Sequence, residues 1–333
     1  MGERLRWGIL GCASIAASAL IPAIKESSLS EVVAVASRDR AKAGAFAERF
    51  AIPGAYGSYE ELLADPEVDA VYIPLPNHLH MEWAMRAAEA GKHVLCEKPL
   101  ALTEAEAYEM VDACRSAGVQ LAEAFMYRHH PRYDRLRAML AAGEIGTIRA
   151  VHSTFRFNAS DRADDVRFHR EMGGGSLLDN GCYCINVARY VLDAEPEAVT
   201  ASAFFSPRHD DVDMMASGLV EFAGGTCLTF ECGMWAHFRQ GLEIIGTHGR
   251  IDVPAPFMCK TADEAAFTVT VGNESRVERF DPVNQYTVQV DDFARAVVHG
   301  ARLKVEPEEA VRNMRVLEAS LRSARERARI ALT

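Results

Sequence analysis

The sequence predicts a two-domain α/β protein, in which a doubly wound, mostly parallel sheet is followed by an α+β domain on a mostly antiparallel sheet. Three observations lead there. Short β-branched runs alternate with helical stretches from Arg6 to Ala122, the pattern of repeated βα units. From Ile148 onward strands follow one another with few helices between, the pattern of an α+β domain. A turn of small residues, Gly11-Cys12-Ala13-Ser14-Ile15-Ala16, sits between the first strand and the first helix.

Composition bounds the class. The 333 residues give room for about two domains, and 49% hydrophobic with 25% charged residues is ordinary for a globular chain. A net charge of −11 with no basic stripe argues against a nucleic-acid partner. The eight cysteines form no C-x-x-C pair, so neither a zinc site nor a disulfide framework is expected, and free thiols in a reducing cytoplasm are. Arg4 and Arg6 precede an apolar stretch as in a signal peptide, but Gly11 and Pro22 interrupt it. No run approaches the ~18 to 20 apolar residues of a membrane span, so no membrane partner is expected.

Taken in order, Arg6 to Leu10 reads as a buried strand, Ser14 to Lys25 as a helix and Glu31 to Ala36 as a second strand. This is one βαβ unit of the ~30 residues that a dinucleotide-binding turn requires. Small residues are needed there for a tight turn, for close approach to a pyrophosphate and for helix–strand packing. The exposed amides of the helix start then meet the negative charge. Ala13 departs from the pattern by placing a methyl group where the backbone should be barest. After the second strand, Ser37 and Arg38 precede Asp39. A guanidinium here suits a 2′-phosphate, whereas an acidic residue suits the free ribose hydroxyls of NAD. NADP(H) is therefore expected ahead of NAD(H), with Arg38 as a solvated loop charge the competing reading.

Helices at Ala41 to Phe50, Tyr59 to Ala64, His80 to Ala90 and Thr103 to Ala117 alternate with strands at Ala70 to Pro74, His93 to Cys96 and Val119 to Ala122. Ligands of such sheets bind beyond the carboxyl ends of the strands. Those positions hold Pro74, Leu75, Asn77 and His78, then Glu97 and Lys98, then Arg128 and His130. One of His78 and His80 is alternatively a cap of the next helix. A helix from Pro131 to Ala142 leads into strands at Ile148 to Phe157, Val199 to Phe205, Ser217 to Phe222, Thr226 to Gly233 and Gln240 to Ile245, with Gly224-Gly225 as a hairpin turn. Helices at Val288 to His299 and Pro307 to Ala328 close the chain. The expected division is residues 1–124 and 125–333, the closing helices being free to pack back on the first domain.

The Gly11 turn, the triplet Glu97-Lys98-Pro99 and the segment Gly173 to Tyr183 (GGGSLLDNGCY) together resemble the glucose–fructose oxidoreductase and inositol dehydrogenase family, Gfo/Idh/MocA. Tyr183 in place of the commoner histidine is closer to its sugar-oxidoreductase and dihydrodiol-dehydrogenase branches. The resemblance implies a Rossmann domain, a second domain whose sheet has an open face, and a homodimer or homotetramer built through that face. It implies hydride transfer between NADP(H) and a CH–OH or ketone carbon of a carbohydrate-like substrate, with Lys98, Asp179 and Tyr183 catalytic. It places Asn77 and His78 by the nicotinamide ribose and Arg128 and His130 toward the substrate.

The residues themselves agree. Asp179 and Tyr183 are four apart and share a helix face. A tyrosine hydroxyl titrates near ~10 and needs a cation such as Lys98 to act at working pH. Whether Lys98 or Tyr183 carries the proton stays open. So do bland readings: Ser176 and Asp179 as a capping box, Tyr183 as core, Lys98 as a surface charge. Arg156 and Asn158 are further substrate-pocket candidates. Arg156, Arg162, Arg167 and Arg170 are also the set a diphosphate would need in a nucleotide-linked ketosugar reductase, the rival reading. A glycoside hydrolase using nicotinamide transiently and a non-catalytic NADP(H)-sensing regulator are the others.

Overall fold

A computed structural model describes residues 4–162 and 165–332. The chain forms two compact units, the first made of the chain up to Ala101, Ala105–His129 and Asn284–Val311, and the second of Leu102–Glu104, His130–Val283 and Arg312 onward.

The first unit is a six-stranded parallel sheet in the order β3-β2-β1-β4-β5-β6. Its strands are β1 (Leu5–Leu10), β2 (Ser30–Ala36), β3 (Gly54–Tyr56), β4 (Ala70–Ile73), β5 (His93–Cys96) and β6 (Leu121–Glu123). Between them run α1 (Ile21–Glu26), α2 (Arg40–Phe50), α3 (Tyr59–Leu63), α4 (His80–Glu89) and α5 (Glu104–Ser116). The order reverses between β1 and β4, the switch point where ligands bind in open α/β sheets. β3 was not expected, because Gly-Ala-Tyr lacks the β-branched run that marks its neighbours. α9 (Gln285–His299) also belongs to this unit and packs Phe293 against Trp7, ring centroids 5.2 Å apart and planes tilted by 38°, with both side chains buried. The helix after β1 is continuous over residues 14–26 but not uniform: Ala16–Leu20 is a π turn, and the bond from Ile21 N to Ala16 O shifts the α ladder just before Pro22, which has no N–H to place in it.

The second unit is a nine-stranded sheet in the order β14-β13-β12-β11-β7-β10-β9-β8-β15. After α6 (Pro131–Ala141) come β7 (Ile148–Asn158), α7 (Cys182–Leu192), β8 (Pro196–Ser206), β9 (Val212–Phe222), β10 (Cys227–Gly233) and β11 (Trp235–Gly246). β12 (Gly249–Val253), the short α8 (Ala262–Ala265), β13 (Phe267–Val271) and β14 (Glu274–Glu278) follow; α10 (Glu308–Glu326) and β15 (Ile330–Ala331) end the chain. All pairings are antiparallel except β10 with β7. β9 starts five residues before the expected Ser217, because Asp213 interrupts an otherwise apolar opening, Val212 to Ala216. Gly224 and Gly225, both at positive φ, turn β9 into β10 as the sequence implied.

α7 is buried along its length from Cys182 to Val191, and it lies on one face of this sheet. There the Tyr183 ring meets Phe155 of β7 edge-on at 5.2 Å and Phe257 at 5.1 Å. Side chains alternate along β7, so Phe155 faces α7 and Arg156 faces the other way.

Candidate active site

In the first unit the β1 strand ends at Gly11, whose φ of +105° only glycine adopts without strain. Its N–H donates to Ala36 O at 2.9 Å, and a Cβ there would lie 3.0 Å from Leu75 Cδ2. The turn is thus seated against both β2 and the loop after β4. Cys12, Ala13, Ser14 and Ile15 follow with partly or fully exposed side chains; the helix begins at Ser14, and Ala13 before it has no side-chain oxygen to cap it. Its leading N–H groups are left for a ligand.

At the end of β2 the two competing side chains separate. The Asp39 carboxylate caps α2, accepting from Ala41 N at 2.9 Å and Lys42 N at 3.1 Å, while the Ser37 hydroxyl oxygen accepts from Asp39 N. Arg38 is exposed, and no carboxylate among the described residues pairs with it. Asp39 therefore serves the helix and Arg38 remains available. Beyond β4, Pro74 is buried, Leu75 and Asn77 are half-buried and His78 is exposed, the last two in a 3₁₀ turn, Asn77–Leu79.

The Glu97-Lys98-Pro99 turn leaves β5 with a cis Lys98–Pro99 bond. Each flanking residue is held. Glu97 N donates to Ile73 O at 3.1 Å, and the buried Tyr72 hydroxyl donates to the Glu97 carboxylate. Leu100 N donates to the buried carboxylate of Glu123 at 2.8 Å. Lys98 itself is half-buried. A positive-φ glycine, an uncapped helix start and an unpaired guanidinium make this unit fit a phosphorylated dinucleotide.

In the second unit Asp179 lies in a second π turn, Leu177–Gly181, that runs into α7. The expected α-helical offset to Tyr183 is therefore replaced by a wider turn. The capping box is also absent: the Ser176 hydroxyl donates to Asp213 Oδ2 at 2.7 Å, as does Leu177 N. Asp213 is 1% exposed, and burial raises its pKa to about 6 against the pull of those donors. Asp179 Oδ2 instead accepts from Arg167 Nε at 3.0 Å, and Arg167 Nη1 donates to Asp165 at 3.1 Å. The Asp179 charge raises the Arg167 pKa further, so that guanidinium is a fixed cation. The glycine run makes this pairing possible: Gly175 N donates to Arg167 O at 3.0 Å, and a Cβ on Gly174 would stand 2.4 Å from that oxygen.

Two sequence candidates, Arg156 and Asn158, face away from Tyr183. Arg156 pairs with Glu231 on the sheet face opposite Tyr183, and Asn158 accepts from Ser160 N and Oγ in the turn that follows. Neither belongs beside Tyr183, because the two-residue period of β7 turns them away. Arg128 is buried with Nη1 3.4 Å from Glu309, and His130 is buried with Nδ1 accepting from Arg132 N at the start of α6. Of the diphosphate set, Arg162 and Arg167 face Asp165, and Arg170 contributes its N–H to Asp210. Arg167, expected only as a diphosphate ligand, instead holds Asp179, and Asp213, Tyr72 and Glu123 are not marked by the sequence, since each acts across more than twenty residues with no local pattern.

Comparison with known proteins decides the family. The model described as "Oxidoreductase family, NAD-binding Rossmann fold" matches residues 5–125, and that for the "GFO/IDH/MocA C-terminal domain" matches residues 133–252. The chain belongs to the Gfo/Idh/MocA oxidoreductases. It is 42% identical to D-xylose 1-dehydrogenase (NADP(+)) 2 of Haloferax volcanii, covering 98% of this chain and 100% of that protein. Among solved structures, KijD10, a 3-ketoreductase from Actinomadura kijaniata in complex with NADP and TDP-benzene, superposes with a TM-score of 0.90 at 33% identity, over 96% of this chain and 98% of that one. The aldose–aldose oxidoreductase of Caulobacter crescentus, complexed with glycerol, gives 0.91 at 29% identity over 99% and 100%. Like these Gfo/Idh/MocA proteins, this chain is a sugar oxidoreductase with a Rossmann unit. No helix among the described residues is long and apolar enough to cross a membrane.

Proposed function

We propose that the protein is an NADP(H)-dependent dehydrogenase that transfers hydride between the nicotinamide and a secondary alcohol, hemiacetal or ketone carbon of a sugar. The observation that carries this reading is the division of labour after β2: Asp39 is engaged in the α2 cap, and the exposed Arg38 has no carboxylate partner. Gly11, Cys12, Ala13, Ser14 and Ile15 receive the pyrophosphate, Ser37 and Arg38 the 2′-phosphate, and Pro74, Leu75, Asn77, His78 and Glu97 the nicotinamide half. The cofactor, when bound, supplies the hydride acceptor or donor. Lys98 and Tyr183 manage the hydroxyl proton. Asp179, fixed by Arg167, orients the substrate or Tyr183.

The identity to a D-xylose dehydrogenase makes aldoses the first substrates to test. Of the four arginines the ketosugar-reductase reading would use on a diphosphate, Arg162 and Arg167 face carboxylates and Arg156 faces the other side of the sheet, which leaves it the Arg170 guanidinium. On that open face Phe204 and Trp235 stack at 4.4 Å and stay exposed, as do Leu219 and Phe238. This exposed apolar patch is the surface that, in this proposal, a second copy covers in a homo-oligomer.

Calorimetric titration with NADPH and NADH in parallel tests the cofactor. Arg38→Ala is expected to weaken NADPH by about 10- to 100-fold, the worth of one or two charge-assisted hydrogen bonds, and to leave NADH unchanged. Equal binding of both cofactors, unaltered by the substitution, removes Arg38 from the site. Lys98→Ala is expected to lower turnover of D-xylose with NADP⁺ by roughly 10²- to 10⁴-fold, with NADPH affinity within a few-fold. Near-normal turnover sinks the assignment of Lys98.

A further inference from the structure

His80, the first residue of α4, has no solvent exposure, yet its ring is not spent on capping that helix. Nδ1 lies 2.9 Å from Pro99 O and Nε2 lies 2.8 Å from Leu75 O. One imidazole therefore spans two loops that leave adjacent strands, β4 and β5. Each loop reaches a different part of the site. Pro99 directly follows Lys98, and the Leu75 side chain is the one that bears on Gly11 of the dinucleotide turn. A buried ring with two polar atoms is costly unless it is hydrogen-bonded, and an apolar side chain of similar size would strand two buried carbonyls.

Other contacts of the lysine turn include Lys98 N donating to Glu97 Oε2 at 3.3 Å, Tyr72 on Glu97 and Glu123 on Leu100. Only the His80 ring, among these, ties the lysine turn to the loop over Gly11. A carbonyl oxygen only accepts, so a neutral ring satisfies one contact and an imidazolium both. Whichever nitrogen carries the proton, the ring sets the spacing of the two carbonyls. Burial lowers the imidazole pKa against the pull of those carbonyls, and the Lys98 charge lowers it further.

We propose that His80 is a positioning residue, which acts through the Pro99 and Leu75 carbonyls to fix Lys98 relative to the dinucleotide turn. It touches neither cofactor nor substrate. The inference rests on the reading of Lys98 and the Gly11 turn given above.

The test uses the full-length protein with its lysines converted to [¹³C]dimethyl-lysine, the Lys98 signal being assigned by its absence in Lys98→Arg. In His80→Leu the Lys98 signal is expected to move and NADPH affinity to fall about tenfold. His80→Gln, which keeps a donor, is expected to recover part of both. A folded His80→Leu with wild-type Lys98 signal and wild-type NADPH affinity overturns the proposal. If neither variant folds, [¹⁵N]histidine-labelled wild type decides: a His80 ring N–H protected from exchange that shifts when NADPH is added supports the link, and one indifferent to NADPH overturns it. Wild-type protein that binds no NADPH instead sinks the cofactor reading, while the Lys98 signal in His80→Leu still judges the ring.

Discussion

Two helices of this protein begin in the same unusual way and put their first turns to opposite uses. The helix after Gly11 and the helix that carries Asp179 and Tyr183 each contain a five-residue π turn close behind their first helical residues, Ala16–Leu20 and Leu177–Gly181. In the first unit the start has no side-chain cap, and Ser14, its first residue, is exposed. In the second unit the start is filled from within by the buried carboxylate of Asp213. The N-terminal end of a helix attracts negative charge in either case. What differs is the source of the charge: a ligand is expected to bring it to one, and the chain itself brings it to the other. The open start can bind; the filled start can only hold its helix in place.

Emptying the filled start gives the largest expected effect. Asp213→Ala leaves the Ser176 hydroxyl and the Leu177 N–H buried without their acceptor, and is expected to cost about 3 to 5 kcal/mol in urea denaturation. Asp213 also makes this end sensitive to pH. Its folded pKa, about 6, stands above the ordinary 3.8. The folded state therefore holds a proton that the unfolded state has released between those values. The contribution to stability is fully present below pH ~3.8 and is lost as pH rises through ~6, about 3 kcal/mol in all. Asp213→Asn removes this slope, so the difference between wild type and variant across pH 4 to 7 reads it directly. A difference that stays constant over that range contradicts the buried titration.

Filling the open start gives the next effect. Ser14→Asp puts a carboxylate where the pyrophosphate is expected, and is predicted to weaken NADPH by about 2 kcal/mol, roughly 30-fold, with thermal stability unchanged or slightly raised. Unchanged NADPH affinity places the phosphates elsewhere.

The contrast also explains what the sequence made legible. The first sheet could be read because EVVAVA and AVYI are compact apolar runs between helical stretches, and the Gly11 turn marks its own ligand. In the second sheet the expected strands stop at Ile245: Phe267–Val271 (FTVTV) is missing from them despite its β-branched alternation, and its partner Glu274–Glu278 is a charged, exposed edge strand that composition reads as loop. Lys98, Asp179 and Tyr183 were visible as motifs. The residues that hold them were not. Arg167 reaches Asp179 across a glycine run, and Asp213 reaches Ser176 from a strand it disguises, so their roles exist only after folding.

α2 is the intermediate case and the finest test of the comparison. Its start is filled by Asp39, as the Asp179 helix is filled by Asp213, but here the carboxylate is exposed and adjoins Arg38. An exposed N-cap is worth about 1 kcal/mol, and asparagine caps nearly as well as aspartate. Asp39→Ala is therefore expected to lower stability by about 1 kcal/mol, and Asp39→Asn by no more than a few tenths. If Asp39 serves only the helix, neither change alters the relative affinity for NADPH and NADH beyond about twofold, since no ribose contact is lost. A selective loss of NADH binding in both variants gives Asp39 a second role at the ribose, and makes the α2 start a place where internal cap and ligand share one carboxylate.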